Sequence, residues 1–368
     1  MTKKDISVYI HIPFCKSRCF YCDFVSNLKN EKEIALYVNS LCREINNNKI
    51  LKEFKIKTLY IGGGTPSFID KKYIYKILSC FDLNNAYEIT IETNPESLTL
   101  EKILFYKKNR INRISIGLQT TNNLLLKQIN RKHDLKTFNE IYFVAKKYFK
   151  NINIDLIFGL PDQTLEMFYR DIRYVVNIKP THISLYSLKI EKNTVFFGKK
   201  LNLPDEETER KMYHDAIGIL KKSKYYQYEI SNFSVKNFEC KHNLIYWTSK
   251  NYLGFGLSAH SFINNQRFKN TSNFYKYIKN PLNGVDKMTT LTNKNLIEEF
   301  VFLGLRLNVG VSKFNFYKKF KIKINEVYDK EIKKLKKEKI LIENKKSIVL
   351  TKLGFDLANY AMSQFIFD

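Results

Sequence analysis

At 368 residues, 44% of them hydrophobic and 14% aromatic, the chain holds enough apolar material for one large domain and a small one, which excludes a disordered class. Lys and Arg outnumber Asp and Glu by 62 to 36, for a net charge of +26, but the basic residues are spread among Asn, Ile and Tyr over the whole length; this suits nonspecific polyanion binding at low salt and picks out no patch for a specific nucleic-acid partner. No apolar run approaches the ~18 residues of a membrane span and no secretory h-region opens the chain, so a cytoplasmic, reducing setting is expected.

The first strand is expected at residues 7–12, and from its end runs His11-Ile-Pro-Phe-Cys-Lys-Ser-Arg-Cys-Phe-Tyr-Cys-Asp-Phe24. Cys15, Cys19 and Cys22 thus lie within eight residues. Thiols so close rarely pair stably in a reducing cell, which leaves a metal or a cluster. Structural zinc usually takes two separated cysteine pairs in a closed tetrahedron, and no second pair follows. A cubane normally takes four thiolates, so three would leave one iron open to a ligand. Zinc remains an alternative; the spacing favours the open cluster. Cys42 and Cys80 fall in helical patterns and read as inert core thiols.

Further strands are expected at 58–61, 88–93, 113–117, 153–158 and 182–188, with amphipathic helices at 31–46, 72–80, 100–109 and 137–149. Alternation of this kind argues parallel pairing with right-handed crossovers. Six units fall short of eight, so the expected fold is α/β, an incomplete (β/α)6 barrel, with its chemistry at the C-terminal strand ends. Unusual polar clusters follow that rule. After the cysteines come Gly62-Gly63-Gly64-Thr65-Pro66-Ser67, Glu92-Thr93-Asn94-Pro95, Gly117-Leu118-Gln119, and Asp155 with Gly159-Leu160-Pro161. Each has a bland reading: a tight turn for the glycines, a cap for Glu92, satisfied barrel residues for Gln119 and Asp155, and a solvated helix end for Arg131-Lys132-His133. Their common rim is the argument for one site.

The cysteine spacing resembles that of the radical S-adenosylmethionine (SAM) proteins. The order HIPFC…CFYCDF, GGGTPS, ETNP, SIGLQ, NRKH, DLIFGLP, YEISNF and HNLIYW, over nearly the whole chain, is similar to the coproporphyrinogen III dehydrogenase-like family. The resemblance implies a 4Fe-4S cluster on Cys15, Cys19 and Cys22, whose free iron chelates the methionine moiety of SAM for reductive cleavage to a 5′-deoxyadenosyl radical. By the same likeness Tyr9 and Tyr21 flank the SAM site, and Gly63, Gly64 and Thr65 contact its methionine end. Glu92, Gln119, Arg131 and Asp155 line the rest, with Asp155 suited to the ribose hydroxyls.

Two features choose a branch. Dehydrogenases proper carry a fourth cysteine where this chain has Phe24, and an N-terminal extension before the first strand. The run Cys240-Lys-His-Asn-Leu-Ile-Tyr-Trp247, with the only tryptophan, resembles the HNxxYW motif of HemW-type heme chaperones. His242 is then the expected heme ligand and His260, after Gly254-Phe-Gly-Leu-Ser-Ala, a weaker candidate; His182 and His214 read as structural. The bland reading of His242 is a buried imidazole packed under Trp247.

Residues 264–295 are polar and read as a connection. Helices at 296–307, 312–320 and 325–339, strands at 340–343 and 347–350, and a helix from 353 suggest a small winged-helix-like α+β domain. The expected domains are therefore 1–235, the radical SAM core; 236–292, the heme motif and connection; and 293–368. Expected partners are heme, a heme-acceptor protein and an electron donor for the cluster. The alternative is an oxygen-independent coproporphyrinogen III oxidase; a winged-helix nucleic-acid binder with a structural metal is a third.

Overall fold

The computed structural model describes residues 3–26 and 30–367. Its first half alternates strand and helix: β1 (Lys4–Ile12), α1 (Glu31–Asn47), β2 (Phe54–Gly63), α2 (Lys71–Leu78), β3 (Glu88–Thr93), α3 (Leu100–Lys108), β4 (Arg113–Gln119), α4 (Asn123–Gln128), α5 (Leu135–Tyr148), β5 (Asn151–Phe158), α6 (Leu165–Ile178) and β6 (His182–Ser187). Strands β1 to β6 are neighbours in chain order and pair in parallel, which gives the expected incomplete barrel.

Local sequence explains these elements. β4 is buried at all its positions, as a central parallel strand must be. Helices start where an Asp, Asn or Thr side chain accepts a free N–H: Asp70 for α2, Thr99 for α3, Asn122 for α4, Asp134 for α5 and Thr164 for α6. On α1, Ile34, Tyr37, Val38, Leu41, Cys42 and Ile45 recur at three and four and are buried against the sheet. Tyr37 also donates its hydroxyl to the His11 carbonyl at 2.7 Å, tying α1 to β1.

The second half widens the sheet at both edges. α7 (Glu206–Lys222) leads into β7 (Tyr226–Glu229) and β8 (Asn232–Ser234), which pair antiparallel beyond β6. After α8 (Lys241–Trp247), strand β9 (Tyr252–Phe255) pairs parallel to β1, and β10 (His260–Ile263), β11 (Gln266–Asn270) and, past α9 (Phe274–Lys279), β12 (Val285–Thr290) continue the sheet antiparallel. Much of the stretch read as a connection is therefore sheet. Its hairpin turns on Asn264 and Asn265, at φ of 50° and 61°, with Ile263 facing Gln266; two left-handed residues make the tight turn that joins twisted strands.

The C-terminal unit runs α10 (Asn293–Leu305), β13 (Val311–Ser312), α11 (Lys313–Phe320), α12 (Ile324–Lys337), β14 (Leu341–Glu343), β15 (Ser347–Leu350), α13 (Lys352–Asp356) and α14 (Ala358–Ser363). It is a winged-helix-like arrangement with its own core around Val301, Leu305, Phe316, Ile332, Leu335 and Phe365. Polar links hold it to the barrel. Ile230 N–H donates to the Arg306 carbonyl at 3.1 Å, Arg267 forks onto Glu299 at 2.9 and 2.7 Å, and His214 meets Asp356 at 2.7 Å. Among the described residues no helix is long and apolar enough to cross a membrane.

Candidate functional site

The C-terminal ends of the parallel strands open into one cavity of about 1590 Å3. Cys15, Cys19 and Cys22 form part of its wall, and Tyr246, Trp247 and Arg306 another part. A site for one drug-sized ligand usually has ~300–1,000 Å3, so this space takes more than one.

The thiols sit on a loop braced by the next strand's loop. Gly64 N–H donates to the Ile12 carbonyl at 2.9 Å, and Thr65 N–H to Phe14 at 2.8 Å. Thr65 Oγ1 donates to Cys15 Sγ at 3.4 Å, and Arg131 Nη1 to Cys19 Sγ at 3.6 Å. Burial raises the Cys15 thiol and pushes Cys22 up to about 11, so binding of a metal group here would release protons. A Cβ on Gly64 would lie 2.8 Å from the Phe14 carbonyl oxygen and 2.9 Å from Cys15 Sγ. The glycine thus keeps the approach to this thiol clear. Phe24 is exposed and supplies no fourth ligand. Three thiols on a cavity wall, with open space beside them, fit a cubane that keeps one iron free.

Around the rim the polar side chains hold one another. Glu92 accepts from Tyr60 Oη at 2.8 Å and from Gly63 N–H at 3.1 Å. Burial, helped by the Asp155 charge, raises its carboxyl to about 7. Arg131 Nη2 donates to Asn94 Oδ1 at 2.7 Å and to the Gly117 carbonyl at 2.8 Å, and Asn94 Nδ2 donates in turn to Thr65 Oγ1 at 3.0 Å. Gln119 ends β4 at a φ of 71°, beside an irregularity in the β4–β5 register. A Cβ on Gly117 would fall 2.8 Å from Gln119 Nε2 and 3.0 Å from Arg131 Nη2. Asp155 accepts from Ser115 Oγ at 3.0 Å and Asn153 Nδ2 at 2.8 Å, and burial raises its carboxyl. Each of its oxygens keeps a lone pair for a ligand hydroxyl.

Tyr21, Gly63, Gly64, Thr65, Glu92, Gln119, Arg131 and Asp155 all line the cavity with the cysteines. Tyr9 does not. It stacks behind Tyr60 at a ring separation of 6.2 Å and points its hydroxyl at His11 Nδ1, and Tyr60 takes the place at the cavity. Nor is His242 brought to the cavity. It is buried, with Nδ1 2.8 Å from Thr58 Oγ1 and Nε2 2.8 Å from Tyr246 Oη. Thr58 donates its own hydroxyl to Ser7, so Nδ1 carries the ring proton and Nε2 accepts from Tyr246. Burial first, and Arg113 second, lower this imidazole to about 3. Heme ligation through Nε2 would require breaking the bond to Tyr246, while the Nδ1 bond to Thr58 could stay; as it stands, the imidazole supports Tyr246 Oη and the expected axial role is not displayed. His260 is exposed at the start of β10, away from the cavity wall.

Ser115, Asn153, Tyr60 and Arg306 belong to the site without having been singled out, and Asn94, named only within its motif, joins them. Ser115 and Asn153 had a signal: they stand two residues before Gly117 and Asp155, and in a strand such neighbours share a face. Arg306 had none, because its segment enters from the C-terminal unit.

The chain matches the model of the radical SAM superfamily over residues 9–175 and that of the HemN C-terminal domain over 291–357. It is 38% identical to the heme chaperone HemW of Lactococcus lactis subsp. lactis over 100% of this chain and 99% of that one. To the heme chaperone HemW of Bacillus subtilis it is 34% identical, over 98% of this chain and 99% of the other. The solved coproporphyrinogen III oxidase HemN of Escherichia coli superposes with a TM-score of 0.86, covering 99% of this chain and 90% of that chain at 23% identity, which establishes the shared fold. Radical SAM membership implies a 4Fe-4S cluster and SAM. The chain belongs to the HemW heme-chaperone family, built on the radical SAM fold.

Proposed function

We propose that this protein is a cytoplasmic heme chaperone that binds heme and passes it to an acceptor protein. A 4Fe-4S cluster would be held by Cys15, Cys19 and Cys22, and SAM by the rim residues from Gly63 to Asp155. The observation that carries the reading is the single cavity, which joins the three thiols to an aromatic wall of Tyr246 and Trp247. Its size exceeds a one-ligand site, and flat aromatic side chains suit a macrocycle.

In this reading the chain's residues mainly bind and orient. When bound and reduced, a cluster would supply an electron to SAM. Asp155 would accept from ribose hydroxyls, Gly63, Gly64 and Thr65 would meet the methionine end, and Glu92, Gln119 and Arg131 would line the rest. The domain division would follow these roles: residues 1–235 for cluster and SAM, 236–292 for the heme wall, and 293–368 closing the cavity from the side of Arg306. An electron donor for the cluster is a further expected partner.

The test is anaerobic reconstitution followed by heme titration and a coproporphyrinogen III assay with SAM and a strong reductant. Tight heme binding, release to an apo-acceptor and no protoporphyrinogen are expected. Turnover above that of a Cys19→Ala control would favour an oxidase instead.

A further inference from the structure

Arg306 follows α10 directly, and its backbone is fixed to the barrel: its carbonyl accepts from Ile230, and two residues on, Asn308 N–H donates to the Tyr228 carbonyl at 3.1 Å. The guanidinium therefore projects from the C-terminal unit to a set position over the Trp247 ring, 4.3 Å from its centroid. There it is left with little to hold. Its Nη2 lies 3.8 Å from Glu229 Oε2, too long for a hydrogen bond, and among the described residues the guanidinium makes none. Arg306 Nε, Trp247 Nε1 and Glu229 Oε2 are all buried and without hydrogen-bond partners. All three residues line the cavity.

Buried donors on a charged group are costly when unpaired, and a cluster of them calls for an explanation. Other carboxylates of the cavity wall do not provide it. Asp356 is taken by His214 and Glu209 by Ser187, and neither lies within ion-pair reach of Arg306. Glu229, the one acidic neighbour, is anchored through Oε1, which accepts from Asn232 and from Ser231 N–H, while its Oε2 stands 3.8 Å from the guanidinium; burial raises its carboxyl, which weakens it as a counter-ion. Glu229 Oε2 is the nearest acceptor, yet at 3.8 Å it leaves the guanidinium fork unfilled, and an acceptor arriving from the cavity would fill it. A planar fork of N–H donors beside an aromatic face matches a carboxylate on the edge of a flat ring.

We propose that Arg306, stacked on Trp247, receives a carboxylate of the ligand bound in the cavity, which for heme is a propionate. This rests on the heme reading above and adds its specificity determinant. The carboxylate would displace the loose contact to Glu229 and could draw on Trp247 Nε1 as a second donor.

Heme and heme dimethyl ester, which differ only in those carboxylates, test it by titration of the cluster- and SAM-loaded full chain. Wild type should prefer heme roughly tenfold to a hundredfold, the range of a charge-assisted hydrogen bond. Arg306→Gln should abolish that preference by weakening heme alone, and Arg306→Lys should keep part of it. Because changes at Arg306 could disturb the domain contact, Glu229→Gln is the second arm; it removes the competing carboxylate and should increase the preference. An Arg306→Gln protein with the wild-type preference, equal loss of both ligands in it, or a Glu229→Gln protein with an unchanged or smaller preference would overturn the proposal. If wild type binds both forms equally, the heme function stands and the carboxylate site falls. If it binds neither, the heme function itself is overturned, and the site with it.

Discussion

The side chains of Glu92, Asp155 and Arg131 at the barrel rim each hold two or more hydrogen bonds within the protein, whereas across the same cavity the Arg306 guanidinium holds none among the described residues. The rim is set before any ligand comes. Its carboxylates and guanidinium are oriented by Tyr60, Ser115, Asn153 and Asn94, so a ligand meets groups that need little reordering. The far wall is joined from the barrel and the C-terminal unit and keeps donors free. A pre-set rim suits small cofactors that stay; a wall with unsatisfied donors suits cargo that enters and leaves.

The sharpest way to break this contrast is at the thiols. Cys19→Ala should lose nearly all of the roughly four irons per chain expected of a cubane, measured after anaerobic reconstitution. Full iron retention, or stoichiometric zinc in its place, would remove the cluster from the rim.

Next is the glycine beside Cys15. In Gly64→Val a side chain would begin 2.8 Å from the Phe14 carbonyl and 2.9 Å from the sulfur. SAM affinity should fall about a hundredfold or more, by the cost of an overpacked site. Asp155→Ala should weaken SAM by about tenfold or more through two lost acceptors, with iron content nearly unchanged. Calorimetry with SAM on both proteins reads these effects, and wild-type affinity in either would take that residue out of the site.

The rim also predicts a pH dependence. Glu92 is raised from 4.5 to about 7, so between those values the folded chain binds more proton than the unfolded one. Stability contributed by this group is therefore present below its unfolded pKa and lost as pH rises towards about 7. The loss is on the order of 3 kcal/mol, from a few pH units at 1.36 kcal/mol each. Glu92→Gln should lack it, so its stability relative to wild type should rise across this window in denaturant titrations. A constant difference would mean that Glu92 is ionised throughout.

The smallest effect is expected at His242. His242→Ala removes the partner of Thr58 and Tyr246 and should cost about 1–3 kcal/mol of stability. The Soret spectrum of bound heme should keep its ligand-field character, because the imidazole Nε2 is held by Tyr246. A change of axial ligation in that variant would bring His242 to the heme and blur the contrast between the two regions.

Legibility in the sequence divides along the same line. Rim residues fall on short contiguous motifs at strand ends, and a parallel barrel sends strand ends to one side, so GGGTPS, ETNP and Asp155 could be assigned to one site before any contact was seen. The far wall draws on Glu229, Trp247, Arg306 and Asp356, and no local period links such distant positions. His242 was read from the HNxxYW resemblance, and a local contact sits beside that reading. It stands four residues before Tyr246 on α8, the spacing at which two side chains of a helix meet each other. Tyr9 came only from the resemblance, and no local pattern could show that Tyr60 of the neighbouring strand lines the cavity in front of it. The β10–β11 hairpin went unread because its turn is Asn264-Asn265 with no glycine, although asparagine also tolerates positive φ.

The most direct test of the account is whether heme and the cluster share one cavity. Electron paramagnetic resonance of the reduced cluster should be recorded with SAM bound, before and after one equivalent of a paramagnetic heme that the reductant leaves unreduced. The account predicts a cluster signal broadened and relaxing faster as heme binds, with the change lost when heme is passed to an apo-acceptor. An unaltered cluster signal at full heme occupancy would place the heme elsewhere and contradict it.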